Sequence, residues 1–269
     1  MWLPFSATFQ RNFIVMKRAY PWSFFIGHIL SGAYIVFFAY LSYTFVFKKD
    51  MDSRFTAYAG TNDYLSYVIL GGIFFSFAVS MLMIVSRSII SELREGTLEA
   101  LLLTPSSRKG YFLGTMSQGL TRAGIELLSI LVIGFFFGLQ MAIQDPIAVI
   151  LLFIILLFSL FSQALVLGAF MLYFRDTYIT QNTLFVIMGL VCGITFPAAY
   201  LPNSVEWLSY CMPLTFGIDA FRMVLIEGET LASVQSQLLY MTAEGILYLV
   251  MGSFAIKRME SVVLEKHFG

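Results

Sequence analysis

The chain has 269 residues, of which 59% are hydrophobic and 12% are charged, about half the charged share of an ordinary soluble domain. Sixteen Lys and Arg residues balance sixteen Asp and Glu residues, so the formal net charge is zero. This composition excludes a soluble globular enzyme, a disordered chain and a nucleic-acid-binding protein, whose basic surplus is missing. Two cysteines exclude a disulfide scaffold or a zinc cluster, and we expect no metal site. A polytopic membrane protein remains.

Residues 1–21 predict an amphipathic helix at the membrane surface. Its apolar positions are Phe5, Phe9, Phe13, Met16 and Tyr20. At helical spacing they fall within an arc of about 80°. Arg11 and Arg18 lie on another side, where they would meet anionic lipid headgroups. The alternative interpretation is a frayed, basic N-terminal tail.

Six stretches are apolar and long enough to cross, as helices, a bilayer core about 30 Å thick. They are Trp22–Phe47, Tyr64–Ser86, Ala123–Gln140, Ile147–Phe174, Ile179–Ala199 and Leu238–Ile256. All are apolar on every face, whereas strands of a membrane barrel would alternate. The sequence therefore predicts a single all-α membrane domain over residues 1–269, with six transmembrane helices.

The basic residues predict the orientation of these helices. With six spans, twelve Lys and Arg residues lie on the side of the termini and four on the other side. Because cytoplasmic loops carry the excess of Lys and Arg, we expect both termini in the cytoplasm and a multi-pass location in the inner (plasma) membrane.

The cytoplasmic segment between spans two and three, residues 87–110, predicts a docking element. It reads as a helix that leaves the membrane, is interrupted at Gly96, restarts with Thr97 as its N-cap and stops at Pro105. The second part exposes Glu99 beside a ridge formed by Leu98, Leu101 and Leu102. A short helix cannot bury such a ridge alone, so we expect a partner to cover it. The alternative is an ordinary interfacial helix resting on the bilayer.

Two carboxylates fall inside predicted spans, where ionisable residues are suspected of function. Glu126 opens span three, four residues after Arg122, and this spacing favours a structural ion pair at the cytoplasmic rim. Glu244 lies about 20 Å from the inner end of span six. It could contact a substrate near the exit or form an interhelical hydrogen bond.

Two motifs resemble those of one transporter family. The pattern Glu-x-x-x-Gly-Thr-Leu-Glu-x-Leu-Leu-x-x-Pro, from Glu92 to Pro105, resembles the cytoplasmic loop of the type 2 ATP-binding-cassette (ABC-2) exporter permeases. These include exporters of drugs, lipo-oligosaccharides and polysaccharides. Met212–Arg222 resembles the family segment Asn/Met-Pro-Leu-Thr-x-x-x-Asp-x-x-Arg. Together with six spans, the two motifs cover essentially the whole chain in the right order.

The resemblance implies a dimer of permease subunits, each bound to a separate nucleotide-binding ATPase that holds ATP and Mg. The permease itself would have no catalytic residue and bind no cofactor. Segment 87–110 would be the coupling element. Its charges at Glu92, Arg94, Glu95 and Glu99 would pair with the ATPase, its leucines would fill a groove there, and Gly96 would permit the bend.

The resemblance also gives residues 200–230 a role. This outer region is too polar to span and would form two short helices that dip into the outer leaflet and roof the pathway. Pro213 would separate the helices and Thr215 would begin the second. Asp219 and Arg222, three residues apart, can pair on one face.

The sequence favours outward transport of a drug-like or lipid-like amphipathic substrate. This preference follows from the Gly-Thr-Leu-Glu form of the coupling motif, which is typical of that branch of the family. A polysaccharide or glycolipid exporter shares the amphipathic N-terminal helix and is the first alternative. A secondary carrier or channel, or a membrane scaffold without transport activity, are alternatives of other classes.

Overall fold

The computed structural model of the protein describes residues 2–19, 22–48, 53–97, 108–174 and 176–268. Its α-helices are α1 (Trp2–Ala19), α2 (Trp22–Leu41), α3 (Ser53–Ala59), α4 (Tyr64–Arg94), α5 (Arg108–Phe136), α6 (Pro146–Phe174), α7 (Tyr178–Val191), α8 (Asn203–Tyr210), α9 (Pro213–Leu225) and α10 (Gln235–Phe268). A π-helical segment, Ser42–Val46, continues α2, and a short 3-10 helix, Ala198–Tyr200, follows α7. These ranges contain helices and connections but no strand, which confirms the all-α prediction for them.

Helix α4 lies at the centre of the bundle and packs against α2, α5, α6 and α9. Its apolar residues point in every direction, as expected for a helix with neighbours on all sides. Fully buried side chains on α4 are Ile69, Leu70, Ile73, Phe77, Met81 and Leu82. The core continues onto α6 through Leu152, Leu156 and Leu160, which are likewise inaccessible.

Helices α6 and α10 pack against each other more extensively than any other two helices in the described part of the chain. Gly245 and Gly252 of α10 stand seven residues apart and so lie on nearly the same face. A Cβ atom on Gly252 would lie 2.8 Å from the Cβ atom of Leu165. The hydroxyl of Ser159 donates to the carbonyl oxygen of Met241 at 2.8 Å. Small residues thus allow the two backbones to approach closely, as in other membrane helix pairs.

Helix α1 crosses α5 at short range. A Cβ atom on Gly114 would lie only 2.7 Å from the carbonyl oxygen of Phe5. Thr8 and Met16 are buried at this crossing, and the amide of Asn12 donates to the hydroxyl of Thr115 at 3.4 Å. The contact surface between α1 and the bundle is therefore partly polar.

The predicted apolar stripe of α1 is divided in the structure. Met16 is buried and Phe5 is half-buried, whereas Phe13 is exposed together with Ile14 and Val15, which the sequence pattern had left outside the stripe. The stripe is divided because α5 covers one side of it. The apolar residues beside that contact remain exposed. Tyr20 lies outside the described residues.

Four described helices are long and apolar enough to cross a membrane, where the sequence predicts six spans. They are Tyr64–Ser88, Lys109–Phe136, Pro146–Phe174 and Gln235–Arg258. Of two shorter apolar helices, Ala33–Val46 lies within predicted span one and Tyr178–Val191 overlaps the first part of predicted span five. The 14 residues of α7 rise only about 21 Å, less than the thickness of a bilayer core.

The predicted end of span five at Ala199 is wrong. Helix α7 ends at Val191, and Gly193 adopts a left-handed conformation with φ +70°. This conformation breaks a helix and is readily accessible only to glycine. The chain then continues irregularly to the 3-10 helix.

The predicted start of span three at Ala123 is also wrong, because α5 begins at Arg108. The first half of α5 carries polar residues that a hydropathy pattern excludes from a span. In the structure this half lies against α1, where Thr115 and Gln118 are buried and hydrogen-bonded. Packing against α1 therefore extends the helix beyond its apolar part.

We predict that Gly252→Ala destabilises the bundle by about 1–3 kcal/mol, because the new methyl group overpacks the α6–α10 contact. Gly124→Ala is the matched control, since its Cβ atom would meet nothing within 4 Å and alanine favours a helix by about 1 kcal/mol over glycine. Thermal unfolding in detergent measures both variants. Equal unfolding temperatures for the two variants would contradict the close packing of α6 on α10.

Candidate functional site

One end of the bundle, which we call the α1 end, gathers α1, the last turns of α4 and the first turns of α5. The side chain of Glu92, at the end of α4, is buried there with 2% of its surface exposed. Its Oε1 atom accepts hydrogen bonds from the guanidinium of Arg11 and from the hydroxyl of Tyr111, the latter at 3.2 Å. Its Oε2 atom accepts a bond from the hydroxyl of Thr97. One carboxylate therefore joins three segments of the chain.

Tyr111 strengthens this junction through a second contact. Its hydroxyl also lies 3.0 Å from the carbonyl oxygen of Ser88, one turn before Glu92 on α4. Burial alone would raise the pKa of Glu92, but the hydrogen bonds from Arg11 and Thr97 outweigh it and hold that pKa below its ordinary value. Glu92 is thus held as a carboxylate.

The chain leaves α4 through a left-handed turn at Gly96. The φ angle of Gly96 is +71°, and the backbone N–H of Thr97 donates to the carbonyl oxygen of Glu92 at 2.9 Å. This six-to-one bond around a left-handed glycine is the Schellman arrangement that ends many helices. The bend predicted at Gly96 is present.

Glu92 is buried, and its hydrogen bonds within the described residues go to Arg11, Thr97 and Tyr111, so its pairing with an ATPase stays a prediction. Arg94, Glu95, Gly96 and Thr97 are exposed, as a docking surface requires. Leu98, Glu99, Leu101, Leu102 and Pro105, the rest of the predicted coupling residues, lie outside the described residues.

The α1 end also contacts the region between α6 and α7. The guanidinium of Arg94 donates to the hydroxyl of Thr177 at 3.2 Å, and Nε of Arg87 donates to the side-chain oxygen of Gln181 at 2.6 Å. The guanidinium of Arg87 also lies 5.6 Å from the ring centre of Tyr178. The last turns of α4 are therefore connected to α7 as well as to α1 and α5.

The opposite end, which we call the hairpin end, carries α8, α9 and the start of α4. Pro213 is the first residue of α9, and its missing N–H costs nothing there. The hydroxyl of Thr215 donates to the carbonyl oxygen of Ser209 at 2.8 Å and so fixes α9 against α8. Two short helices divided at Pro213 thus follow the predicted pattern, and residues 200–230 extend on either side of them.

Arg222 of α9 is the most heavily bonded side chain at the hairpin end. It is 3% exposed and donates to the carbonyl oxygens of Tyr67 at 2.9 Å, Gly193 at 2.8 Å and Ile194 at 2.9 Å. Its guanidinium also lies 3.3 Å from the ring centre of Tyr67. A single cation therefore ties α9 to α4 and to the break after α7.

Gly71 makes room for this contact. A Cβ atom on Gly71 would lie 2.5 Å from Nη2 of Arg222 and 2.5 Å from the carbonyl oxygen of Ile194. The predicted pair with Asp219 is present at 3.7 Å, but the Asp219 side chain is 49% exposed. The short bonds to carbonyl oxygens, rather than this ion pair, hold Arg222.

The two carboxylates within spans have different surroundings. Glu126 is 2% exposed, with Oε1 bonded to Nε of Arg122 at 3.3 Å and Oε2 accepting from the hydroxyl of Ser80 on α4. The predicted ion pair is therefore present and buried. Glu244 is half-buried on α10, and its Oε2 atom accepts no hydrogen bond within the described ranges. Glu244 stays a candidate for the pathway.

Sequence reasoning missed Tyr111 and Tyr67, which build these ends, and it gave Gly71 only a general role in close helix packing, not its contact with Arg222. Each acts through a contact with a residue far away in the chain. Tyr111 contacts Glu92, and Tyr67 and Gly71 contact Arg222. Local spacing carries no signal for such pairs. Arg11 was identified as basic, but its carboxylate partner was not.

The outer surface of the fold indicates the general class of protein. Large apolar side chains stay exposed along the outer faces of long helices, for example Ile150 and Ile154 of α6 and Val250 and Phe254 of α10. Such surfaces suit hydrocarbon, and the helices satisfy their own backbone groups there. The protein is a multi-pass helical membrane protein.

Comparison with known families identifies the chain more closely. Residues 4–226 match the family described as ABC-2 type transporter, so the chain belongs to that family. It is a transmembrane permease component of an ABC transporter, a class of transporter that works with a partner ATPase. A comparison with curated protein sequences found no match.

We predict that Arg222→Met lowers the free energy of unfolding by about 3 kcal/mol, because it removes charge-assisted bonds and leaves buried carbonyl oxygens unpaired. Arg18→Met, on the exposed face of α1, is the control and should unfold like the wild type. Thermal unfolding in detergent measures the difference. Gly71→Ala should destabilise in the same direction, and stability unchanged in both Arg222→Met and Gly71→Ala would refute this description of Arg222.

We also predict that acid loosens α1 from the bundle through Glu92. The folded pKa of Glu92 is lowered, so its stabilising effect is present above its ordinary pKa of about 4.3 and is lost as the pH falls through the lowered value. Hydrogen exchange of α1 amides across this range measures the loosening. Glu92→Gln should exchange faster already at neutral pH and lose this pH dependence, whereas Glu95→Gln, an exposed neighbour, should keep the wild-type profile.

Proposed function

We propose that the protein is the permease subunit of an ATP-driven exporter that moves an amphipathic, drug-like or lipid-like substrate outward. The observation that carries this proposal is the turn at Gly96, which ends α4 just beyond the buried, hydrogen-bonded Glu92, at the point where the motif from Thr97 to Pro105 begins. A segment anchored in this way can transmit force, because its anchor does not move independently of the bundle.

The proposed complex contains two copies of this permease and two ATPase subunits that hold ATP and Mg. The α1 end faces the cytoplasm in this proposal, and both termini lie there. Support comes from the distribution of Lys and Arg, twelve of which fall on the side of the termini. The ATPase would bind beneath Gly96, at the exposed residues Arg94 and Glu95 and at the leucine ridge beyond them.

The contacts at the α1 end give a route from the coupling segment into the bundle. Glu92 bonds to Arg11 of α1 and to Tyr111 of α5. Arg94, two residues further along α4, bonds to Thr177 at the start of α7. A displacement of the turn at Gly96 therefore acts on α1, α4, α5 and α7 together.

The hairpin end supplies a gate in this proposal. Arg222 holds α9 on α4 and on the residues after α7, which closes the hairpin over the bundle. Opening must replace at least three hydrogen bonds to carbonyl oxygens by bonds to water or to the substrate. The apolar side chains of α9 that pack on the bundle would have to move at the same time.

An apolar cavity supports the choice of an amphipathic substrate over a polysaccharide. Its volume is about 370 Å³, within the size range of small-molecule pockets, and it lies between α4, α5, α6 and α9. Its described lining is entirely apolar and includes Leu131, Phe153 and Phe221. Hydroxyl-rich sugars would find no hydrogen-bonding partner among these side chains. An acyl chain or an aromatic drug would replace empty space by contacts.

The buried surroundings of Glu126 argue against a secondary carrier. A carrier uses carboxylates that alternate between bound states along a water-filled path. Glu126 is instead enclosed and bonded to Arg122 and Ser80.

Charge reversal at the α1 end tests the proposed docking. We expect Glu95→Arg to weaken binding of the partner ATPase at least about tenfold, which corresponds to 1.4 kcal/mol. Glu206→Arg makes the same reversal on α8 at the hairpin end and is the matched control. Binding is measured by titrating the purified ATPase onto the permease in nanodiscs, together with substrate-stimulated ATP turnover. Wild-type affinity in Glu95→Arg, or an equal loss in Glu206→Arg, would remove the α1 end as the docking site.

A further inference from the structure

A second cavity lies at the α1 end, enclosed by α1, α4 and α5. Its volume is about 190 Å³, and it is open on one side. The lining residues are Arg11, Asn12, Val15, Met16, Ile84, Arg87, Ser88, Ser91, Tyr111, Thr115, Gln118 and Arg122. Three arginines, one from each enclosing helix, thus line a single space.

The charge of this lining is not balanced within the cavity. Arg11 and Arg122 bond to Glu92 and Glu126, but neither carboxylate residue is among the lining residues. Arg87 bonds to a neutral amide oxygen of Gln181 and stacks near Tyr178, and in the described part of the chain no carboxylate pairs with it. The carboxylates of Glu92 and Glu126, which bond to two of these arginines, thus lie outside the described lining of the cavity.

The rest of the lining adds two amide donors, those of Asn12 and Gln118. The hydroxyls of Ser88, Ser91 and Thr115 also line the cavity, but they already donate to backbone carbonyl oxygens. Gln118 directs its amide nitrogen at the sulfur of Met16, a weak acceptor, at 3.2 Å. Arginine suits a phosphate group because its planar N–H donors match two oxygens at once. The wall thus offers positive charge and donors to an anion with several oxygens.

We propose that this cavity binds the phosphate group of an anionic phospholipid from the cytoplasmic leaflet. Val15, an exposed apolar residue of α1, lines the cavity, and its exposed neighbour Ile14 follows the same helix; both would contact the acyl chains, which favours a lipid over a soluble phosphate. The bound headgroup would join α1 to α4 and α5 beside the Glu92 junction. The proposal rests on the proposed orientation of the α1 end but not on docking of an ATPase there.

Retention of lipid by the purified full-length chain tests the site. The protein is exchanged into an equimolar mixture of phosphatidylglycerol and phosphatidylcholine, and bound lipid is counted by native mass spectrometry. We expect the wild type to retain phosphatidylglycerol in preference to phosphatidylcholine. Arg87→Gln should reduce this retention about tenfold, because it removes the one lining cation that lacks a carboxylate partner within the described residues.

Two matched variants separate the site from other effects. Arg18→Gln removes one charge from α1 outside the cavity and should retain lipid like the wild type. Gln181→Ala removes the bond from Arg87 to α7 but keeps the cation, so it should also retain lipid. Equal losses in Arg87→Gln and Arg18→Gln would show a diffuse surface attraction and overturn the proposal. So would equal losses in Arg87→Gln and Gln181→Ala, which would show a structural role for Arg87.

A third arm distinguishes the two sources of a phosphate group. Glycerol phosphate is added to the chain in phosphatidylcholine nanodiscs, and its binding is measured by calorimetry. We expect no binding, since the acyl chains are missing; binding that Arg87→Gln abolishes would assign the cavity to a soluble phosphate and overturn the lipid proposal. ATPase docking is measured on the same samples, so loss of lipid selectivity and loss of docking are read separately.

Discussion

The structure depends on one constraint, which is that a charge placed among apolar helices must find its partners inside the protein. Arg222 meets it with the carbonyl oxygens of Tyr67, Gly193 and Ile194. Glu92 meets it with Arg11, Tyr111 and Thr97. Each partner set draws on several chain segments, because no single helix can surround a charge. The two charged residues therefore fix the relative positions of helices at the two ends of the bundle.

This constraint gives both family motifs a structural role. The first motif begins with the buried carboxylate of Glu92, and its residues from Arg94 to Thr97 are exposed. The second motif ends with Arg222, whose aliphatic and charged parts are both enclosed. In the first motif, Glu92 anchors a segment whose next described residues are exposed, whereas in the second motif Arg222 lies among neighbours that are mostly buried as well. A motif residue that the sequence suggests is part of a docking surface can thus hold the motif to the rest of the protein.

The sequence predicted those parts of the fold that depend on local pattern. Helical character, the bend at Gly96, the division at Pro213 and the pairing of Arg122 with Glu126 all follow from residue type and short spacing. The ends of helices were less predictable. The hydropathy pattern predicted that span three starts at Ala123, because hydropathy contains no information about α1, which covers the polar turns of α5 before that residue. It also extended α7 through Gly193, since a glycine in an apolar run signals a left-handed break only when tertiary contacts hold it there. The carboxylate partner of Arg11 and the carbonyl partners of Arg222 could not be predicted for the same reason, because long stretches of chain separate them from these arginines.

The glycine contacts between α6 and α10 have a mechanical consequence. The backbone of α10 lies against that of α6 at Gly252, the side chains of Phe158 and Ser159 pack against Gly245, and Ser159 bonds across the pair, so the two helices resist sliding or tilting against each other. We therefore expect α6 and α10 to stay together as one rigid unit if the transporter alternates between inward-open and outward-open shapes.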